Sequence, residues 1–380
     1  PLGLRVIGFK EIEKSAGGNR DISRVVQSFP GVASTAAFRN DLMVRGGGPS
    51  ENRFFLDGVE IPNINHFSTQ GASGGPVGII NADLVREVNF YTGAFPASKG
   101  NALSSVLDFR LRDGDMDRNS FKATLGASEF SLTSTGHLSS KTSYLVSVRQ
   151  SYLQLLFKVL GLPFLPAYTD AQFKIKTRFN STNELTVLGI GGVDRMKLNM
   201  DVEGEDADYL LSYLPKIEQE TFILGAIYKH YAGNHIQSVS ISHSYLNNRN
   251  LKYQDNDESS ESNLILRLKS IEQESRLRLE NSSALGNWKV KGGVELVYSQ
   301  YDNTFFQKRF VQKEERYDYR ADLNLWRGGL YASADYTSSD EKFSASLGVR
   351  TDICSFSSAT NKLEEQLSPR MSLSYKLIDN

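Results

Sequence analysis

From about residue 116 onward the chain alternates apolar and polar residues in twos. In "QFKIKTRF", Phe173, Ile175, Thr177 and Phe179 face one way, and Gln172, Lys174, Lys176 and Arg178 the other. "FKATLGA" sets Phe121, Ala123 and Leu125 against Lys122 and Thr124. "WKVKGGVELVY" sets Val290, Val294, Leu296 and Tyr298 against Lys289, Lys291 and Glu295. Period two means strands in a sheet with one apolar and one polar face. Upstream the pattern differs. "NRDISRVVQSFPGV" places Ile22, Val25, Val26 and Phe29 at helical spacing, with Asp21 to cap and Pro30 to stop, which predicts a short amphipathic helix. "DLMVRG", "RFFLDGVEI" and "LVREVNFYTG" read as short strands between Gly, Pro and Asn turns. The expected organisation is a small α+β unit over 1–115 and an antiparallel sheet over 116–380.

The connections in the second part fall into two classes. Short polar turns are expected at 139–142, 180–183, 232–235, 284–287 and 338–341. Longer connections lie between them, at 153–167, 194–217, 249–262, 303–320 and 355–365. Tight turns at one end of a sheet and long loops at the other describe a transmembrane β-barrel. Counted this way, the segment holds about twelve strands. A stacked soluble array would have no reason to segregate its loop lengths.

Composition narrows the chemistry. There is no run of eighteen apolar residues, hence no transmembrane helix, but barrels hide their lipid face in alternation. The 43 basic and 44 acidic residues nearly cancel, so no broad nucleic-acid-binding surface is implied. A single cysteine, Cys354, excludes an internal disulfide framework and any multi-thiolate zinc cluster. The glycine-rich "GGGPSEN" and "GASGGPVG" lack the Gly-Lys-Ser/Thr that would hold a nucleotide. His137, His230 and His243 have no serine and carboxylate at a spacing that specifies a hydrolase. The acidic run 201–208 lacks the spaced ligands of a calcium loop and reads as a solvated face. No catalytic residue, metal ligand or cofactor is assigned.

With those residues in view, the chain resembles TonB-dependent outer-membrane receptors over nearly its whole length, most closely over 19–114. "DISRVVQSFPGV" resembles the opening helix of that family's plug, "LMVRGGGPSENRFFLDGV" its Arg-Gly and Leu-Asp-Gly strands, and "INADLVREVNFYTGAFPASKGNALSSVLDFRLRDG" its closing segment and exit into the barrel. The Phe-Pro step at 95–96 departs from the Pro-Ala or Pro-Ser of many relatives. No energy-coupling TonB box is visible, and it is expected upstream of residue 1. The resemblance implies an importer of the Gram-negative outer membrane, not an enzyme, with TonB, an imported solute and outer-membrane lipid as partners. A surface lipoprotein lid is left open as a further partner. The alternative is a passive porin or adhesin barrel without energy coupling.

The resemblance also implies about twenty-two strands, and size agrees that twelve are too few. Twelve strands close to roughly 24 Å across, whereas a plug of this length is roughly 34 Å wide. The expectation is therefore an incomplete wall belonging to a longer protein.

Two groups of residues carry the expected function. The plug's outward loops, with Gly47, Gly48, Ser50, Asn65, His66, Phe67, Ser68 and Gln70, are expected to meet the ligand. Gly46, Gly47 and Gly48 are expected to supply backbone angles closed to other residues. Arg45 and Arg86 interrupt apolar strands in a domain that would sit inside a barrel, so they are expected to be buried and paired. By resemblance they would lock the plug to wall carboxylates, with Glu295 first and Asp322 and Asp335 next. Pairing within the plug, for instance with Asp57, is the bland reading.

Overall fold

The structure, a computed structural model, describes residues 3–15, 21–34, 39–69, 74–126, 128–310 and 314–377. The N-terminal unit holds β1 (Leu4–Gly8), α1 (Phe9–Lys14), α2 (Ile22–Gln27), β2 (Val32–Ala33), β3 (Met43–Val44), β4 (Asn52–Leu56), β5 (Val59–Ile61), β6 (Val85–Tyr91) and β7 (Ser105–Leu111). Its main sheet runs β1-β6-β7-β4-β5, with only β4 and β7 parallel. The α2 helix forms where expected: the Asp21 carboxylate accepts from Ser23 N, and Ile22, Val25 and Val26 are buried. Of the three glycines at 46–48, only Gly46 has a left-handed φ, +82°. Gly47 is required for space instead, since a Cβ there would lie 2.3 Å from Ser104 Oγ.

The second part is a meander of twelve antiparallel strands, each bonded to its sequence neighbours. They are β8 (Ser120–Leu125), β9 (Glu129–Ser139), β10 (Thr142–Ser151), β11 (Phe164–Asn180), β12 (Asn183–Leu198), β13 (Lys216–Ala232) and β14 (His235–Tyr253). Then come β15 (Leu264–Leu285), β16 (Trp288–Phe310), β17 (Glu314–Thr337), β18 (Phe343–Cys354) and β19 (Ser368–Tyr375). Among the described residues the edge strands β8 and β19 share no ladder, so this is an open wall of twelve strands and not a closed barrel.

The five tight turns sit at one end of the wall. Two longer connections at the other end carry helices α3 (Leu153–Val159) and α4 (Glu205–Tyr213). The acidic run 201–208 thus continues into α4, whose first-turn acids Glu205, Asp206 and Asp208 are exposed. The expected loop at 303–320 is a correction: β16 runs to Phe310 and β17 restarts at Glu314. Here both faces of the paired strands are exposed, as over 314–324 of β17, so alternation disappears although pairing continues.

The outward face carries an apolar band between two levels of aromatic pairs. Trp288 packs on Tyr336 at one level of the wall and Tyr298 on Trp326 at another. Ten residues of strand tilted by about 40° rise roughly 25 Å, the height of an outer-membrane apolar band flanked by aromatic girdles. Between the girdles Val290, Val294, Leu296 and Leu330 point outward and exposed. The N-terminal unit fills the other face. Leu145, Leu188, Ile190, Ile223 and Ile227 of the wall join its core.

Candidate functional site

Alternation puts Tyr168, Asp170, Gln172, Lys174 and Lys176 on the inner side of β11, and each of them meets the N-terminal unit or the segment leaving it. Tyr168 stacks on His66 with ring centres 4.0 Å apart. Asp170 Oδ2 lies 3.0 Å from His66 Nε2. Gln172 Nε2 donates to the carbonyl of Ile79 at 2.7 Å. Lys174 bridges Asp57 and Asp113, both at 2.8 Å, and Lys176 reaches Asp113 at 2.9 Å. Burial opposes the charge on Asp113, but hydrogen bonds from these two lysines hold its carboxyl down at about 2. One strand is therefore a docking strip.

His66 is enclosed completely. Its Nδ1 lies 2.6 Å from Asp194 Oδ1 on β12, and the backbone N–H of Phe67 donates to the other oxygen of Asp194 at 2.7 Å. Burial alone would lower the imidazole's pKa, yet Asp194 and Asp170 raise it to about 9. Ser68 completes the clamp: its N–H donates to Gln219 Oε1 at 3.1 Å, and Gln219 Nε2 donates to its carbonyl at 2.7 Å. Sequence reasoning assigned Asn65, His66, Phe67 and Ser68 to ligand contact. The structure corrects this for Asn65, His66 and Ser68, which are buried: Asn65 accepts from Ser23 Oγ, and the other two are held by the wall. Phe67 packs under α3, beside Phe157. Gln70 lies outside the described residues.

Farther round the wall the ionic partners change. Arg276 on β15 touches Glu60 at 2.9 Å and Glu295 at 2.6 Å, and also pairs with Glu274. Glu295 is buried and holds Arg350 of β18 at 3.0 Å. Arg370 of β19 donates to the carbonyls of Pro96 and Lys99 at 2.7 and 2.9 Å. The expectation of two buried arginines in the N-terminal unit is corrected. Arg45 is exposed, and Arg86 is exposed and pairs with Glu87 at 3.2 Å. At this part of the seam the cations come from the wall, and the inner unit supplies Asp57, Glu60 and backbone carbonyls; at His66 the polarity is the opposite. Glu295 lies at the seam but serves wall arginines. Asp335 bonds Ser346 at 2.5 Å, and Asp322 is exposed.

Above this seam lies a cavity of about 450 Å³, toward the end with the long connections. Ser50, Arg53, Asn63 and Thr69 line it from the inner unit; Glu272, Glu274, Tyr301 and Arg327 line it from the wall. Of the described loop residues expected to meet a ligand, Ser50 is the one lining this cavity. Gly47 and Gly48 are half-buried beside Glu51. Strand parity could have found the wall residues that bond across the seam, because each is polar at an inward position. The same parity marks Arg149 on the inner side of β10, although sequence reasoning missed it; its guanidinium binds Asp170 at 2.9 Å and the carbonyls of Gly78 and Ile79 at 2.9 and 2.7 Å.

Comparison with known proteins agrees with this architecture. Residues 1–106 match the family model described as TonB-dependent Receptor Plug Domain. The whole chain superposes on the siderophore receptor PirA from Acinetobacter baumannii (TM-score 0.70, 14% identity, 100% of this chain and 59% of that one). It also superposes on FpvA from P. aeruginosa, solved with heterologous pyoverdines (TM-score 0.74, 14% identity, 100% of this chain and 55% of that one). The copper transporter OprC matches 98% of this chain with 60% of its own (TM-score 0.68, 11% identity). The chain spans somewhat over half the length of these structures. A search of curated protein sequences returns no match.

Proposed function

We infer the function from one premise: the chain is the plug, and part of the barrel wall, of a TonB-dependent receptor. On that premise the protein is an outer-membrane receptor-transporter. It captures a scarce solute from outside in the cavity above the plug, and admits it when TonB moves the plug. The tight turns then face the periplasm and the helix-bearing loops face outward.

The observation that carries this reading is the seated plug. It is joined to the wall by Lys174–Asp57, Arg276–Glu60 and the His66 clamp, and these contacts would have to break before anything passes. A passive porin is the rival reading, and a lumen occupied by a bonded domain argues against it. The test uses the full-length receptor. In planar bilayers it is expected to stay closed without denaturant, and in cells solute uptake is expected to stop when TonB is removed. Steady conductance from the untreated protein, with uptake indifferent to TonB, would establish the porin.

A further inference from the structure

The clamp on His66 and the floor of the cavity belong to one short segment. Ile64 and Ile79 are joined by backbone hydrogen bonding, as are His66 and Val77, and Asn65 and Gly78 form a bridge. Residues 64–66 and 77–79 are therefore the paired base of a small hairpin. Asn63 and Thr69, just outside the clamped residues, line the cavity. Asn63 also hydrogen-bonds Ser68.

The wall grips both arms of that base. Asp170 and Asp194 hold His66 and the Phe67 N–H on one arm. Arg149 and Gln172 hold the carbonyls of Gly78 and Ile79 on the other. Gly192 leaves room for the arrangement, since a Cβ there would lie 3.0 Å from Ile79 Cδ1 and 3.2 Å from His66 Cε1.

Charge decides whether this grip holds. The groups around the imidazole are Asp170 and Tyr168 of β11, Asp194 of β12, and Arg149 of β10, with Glu129 of β9 behind them. Arg149 compensates one carboxylate, which leaves the other to be balanced by an imidazolium. A neutral histidine can donate to only one of two carboxylates and presents a lone pair to the second. Buried, that arrangement is repulsive.

We propose that His66 is a positioning residue that, as an imidazolium between Asp170 and Asp194, latches the cavity-bearing hairpin to the wall. Movement of the cavity floor and release of the plug at this point are then one event, because Asn63 and Thr69, which line the cavity, flank the clamped His66 and Phe67. The proposal rests on the plug being the gate of the receptor, but not on which solute it admits or on TonB.

The sign of the pH dependence follows. An imidazole whose pKa is raised from 6.5 to about 9 by docking contributes stability that is complete below about pH 6.5. That stability falls as pH rises toward and through about 9. Asp113, held at about 2, changes only in acid, whereas Lys99, paired with Asp108 and lowered by burial to about 8, titrates in the same range. The His66 contribution is therefore the difference between wild type and a His66 variant.

The experiment records single-channel openings of the full-length receptor against urea, from pH 6 to pH 10, with no solute present. Wild type is expected to open at progressively lower urea as the pH passes from about 7 to about 9.5. His66→Gln is expected to open at lower urea than wild type at pH 6, with a threshold that varies less over this range, leaving only the Lys99 contribution. The double variant His66→Gln with Asp194→Asn, which removes the uncompensated carboxylate, is expected to recover part of the lost threshold. Gel mobility before and after heating reports an intact wall in every case. A His66→Gln protein that keeps the wild-type threshold and pH profile overturns the proposal. So does a loss of threshold that leaves the pH profile in place. Because no uptake is measured, failure of the importer reading would show separately, as TonB-independent transport.

Discussion

Glu60 of the plug and Arg276 of the wall meet at 2.9 Å, each with little solvent exposure. Glu274 and Glu295 touch the same guanidinium, so one wall cation serves carboxylates from both bodies. This reverses the polarity expected from the sequence. A guanidinium with five donors can serve several carboxylates at once, and on a strand it is fixed at an inward position. The plug needs only short acidic side chains on its β4–β5 hairpin to meet it.

Removing Arg276 is therefore expected to be worse than removing Glu60. Arg276→Ala leaves Glu60 and two wall carboxylates crowded without their cation, at a cost of about 3–5 kcal/mol. Glu60→Gln keeps a hydrogen-bonding group and leaves Arg276 two partners, costing about 1–2 kcal/mol. Conductance in urea should rank opening thresholds wild type, Glu60→Gln, then Arg276→Ala. Equal thresholds for all three would remove this pair from the seam.

Much of this architecture was legible because membrane and lumen impose opposite chemistry on alternate residues. The β11 residues Gln172, Lys174 and Lys176 were readable as one polar face, and all three contact the plug or its exit segment. The exposure of Arg45 is not readable from the sequence. A charge beside glycines looks alike whether the turn points inward or, as here, into solvent with Arg45 at φ +52°. His66 was read as a loop residue because its partners lie more than a hundred positions away, at 170 and 194.

Close approach of backbone to plug makes a second prediction. A Cβ on Gly225 of β13 would lie 2.5 Å from Val59 Cγ2. Gly225→Ala is expected to unseat the β4–β5 hairpin by about 1–3 kcal/mol of overpacking. Combining it with Val59→Ala should restore much of the wild-type opening threshold, since the two sites are in contact and their effects couple. Additive losses would mean the clash is relieved elsewhere.

Sidedness can be read chemically in intact cells. In a Cys354→Ser background, Asp206→Cys on α4 and Ser339→Cys in the turn after β17 are both exposed positions at opposite ends of the wall. A membrane-impermeant maleimide is expected to label residue 206 in intact cells, and residue 339 only after lysis. Equal labelling of both would reject the assigned topology.

The last prediction concerns the height of the lipid band. Trp288 with Tyr336 and Tyr298 with Trp326 mark its two margins, and Val294 lies near the middle on the outward face. If these pairs are the girdles, cost should follow depth and not side-chain size. Val294→Arg places a cation near the midplane and is expected to destabilise the folded wall by about 2–4 kcal/mol. Gln300→Arg, beyond the outer girdle and exposed, is expected to cost about 0–1 kcal/mol. Glu295 adjoins Val294 but points inward to Arg276 and Arg350, so Glu295→Gln should act on plug seating and spare insertion. Urea-dependent folding of the full-length receptor into lipid vesicles, followed by its shift in gel mobility, measures the first two variants on one scale. A Val294→Arg protein as stable as Gln300→Arg would move the band away from these aromatic pairs. The protruding length of β15–β17 would then have to be reassigned.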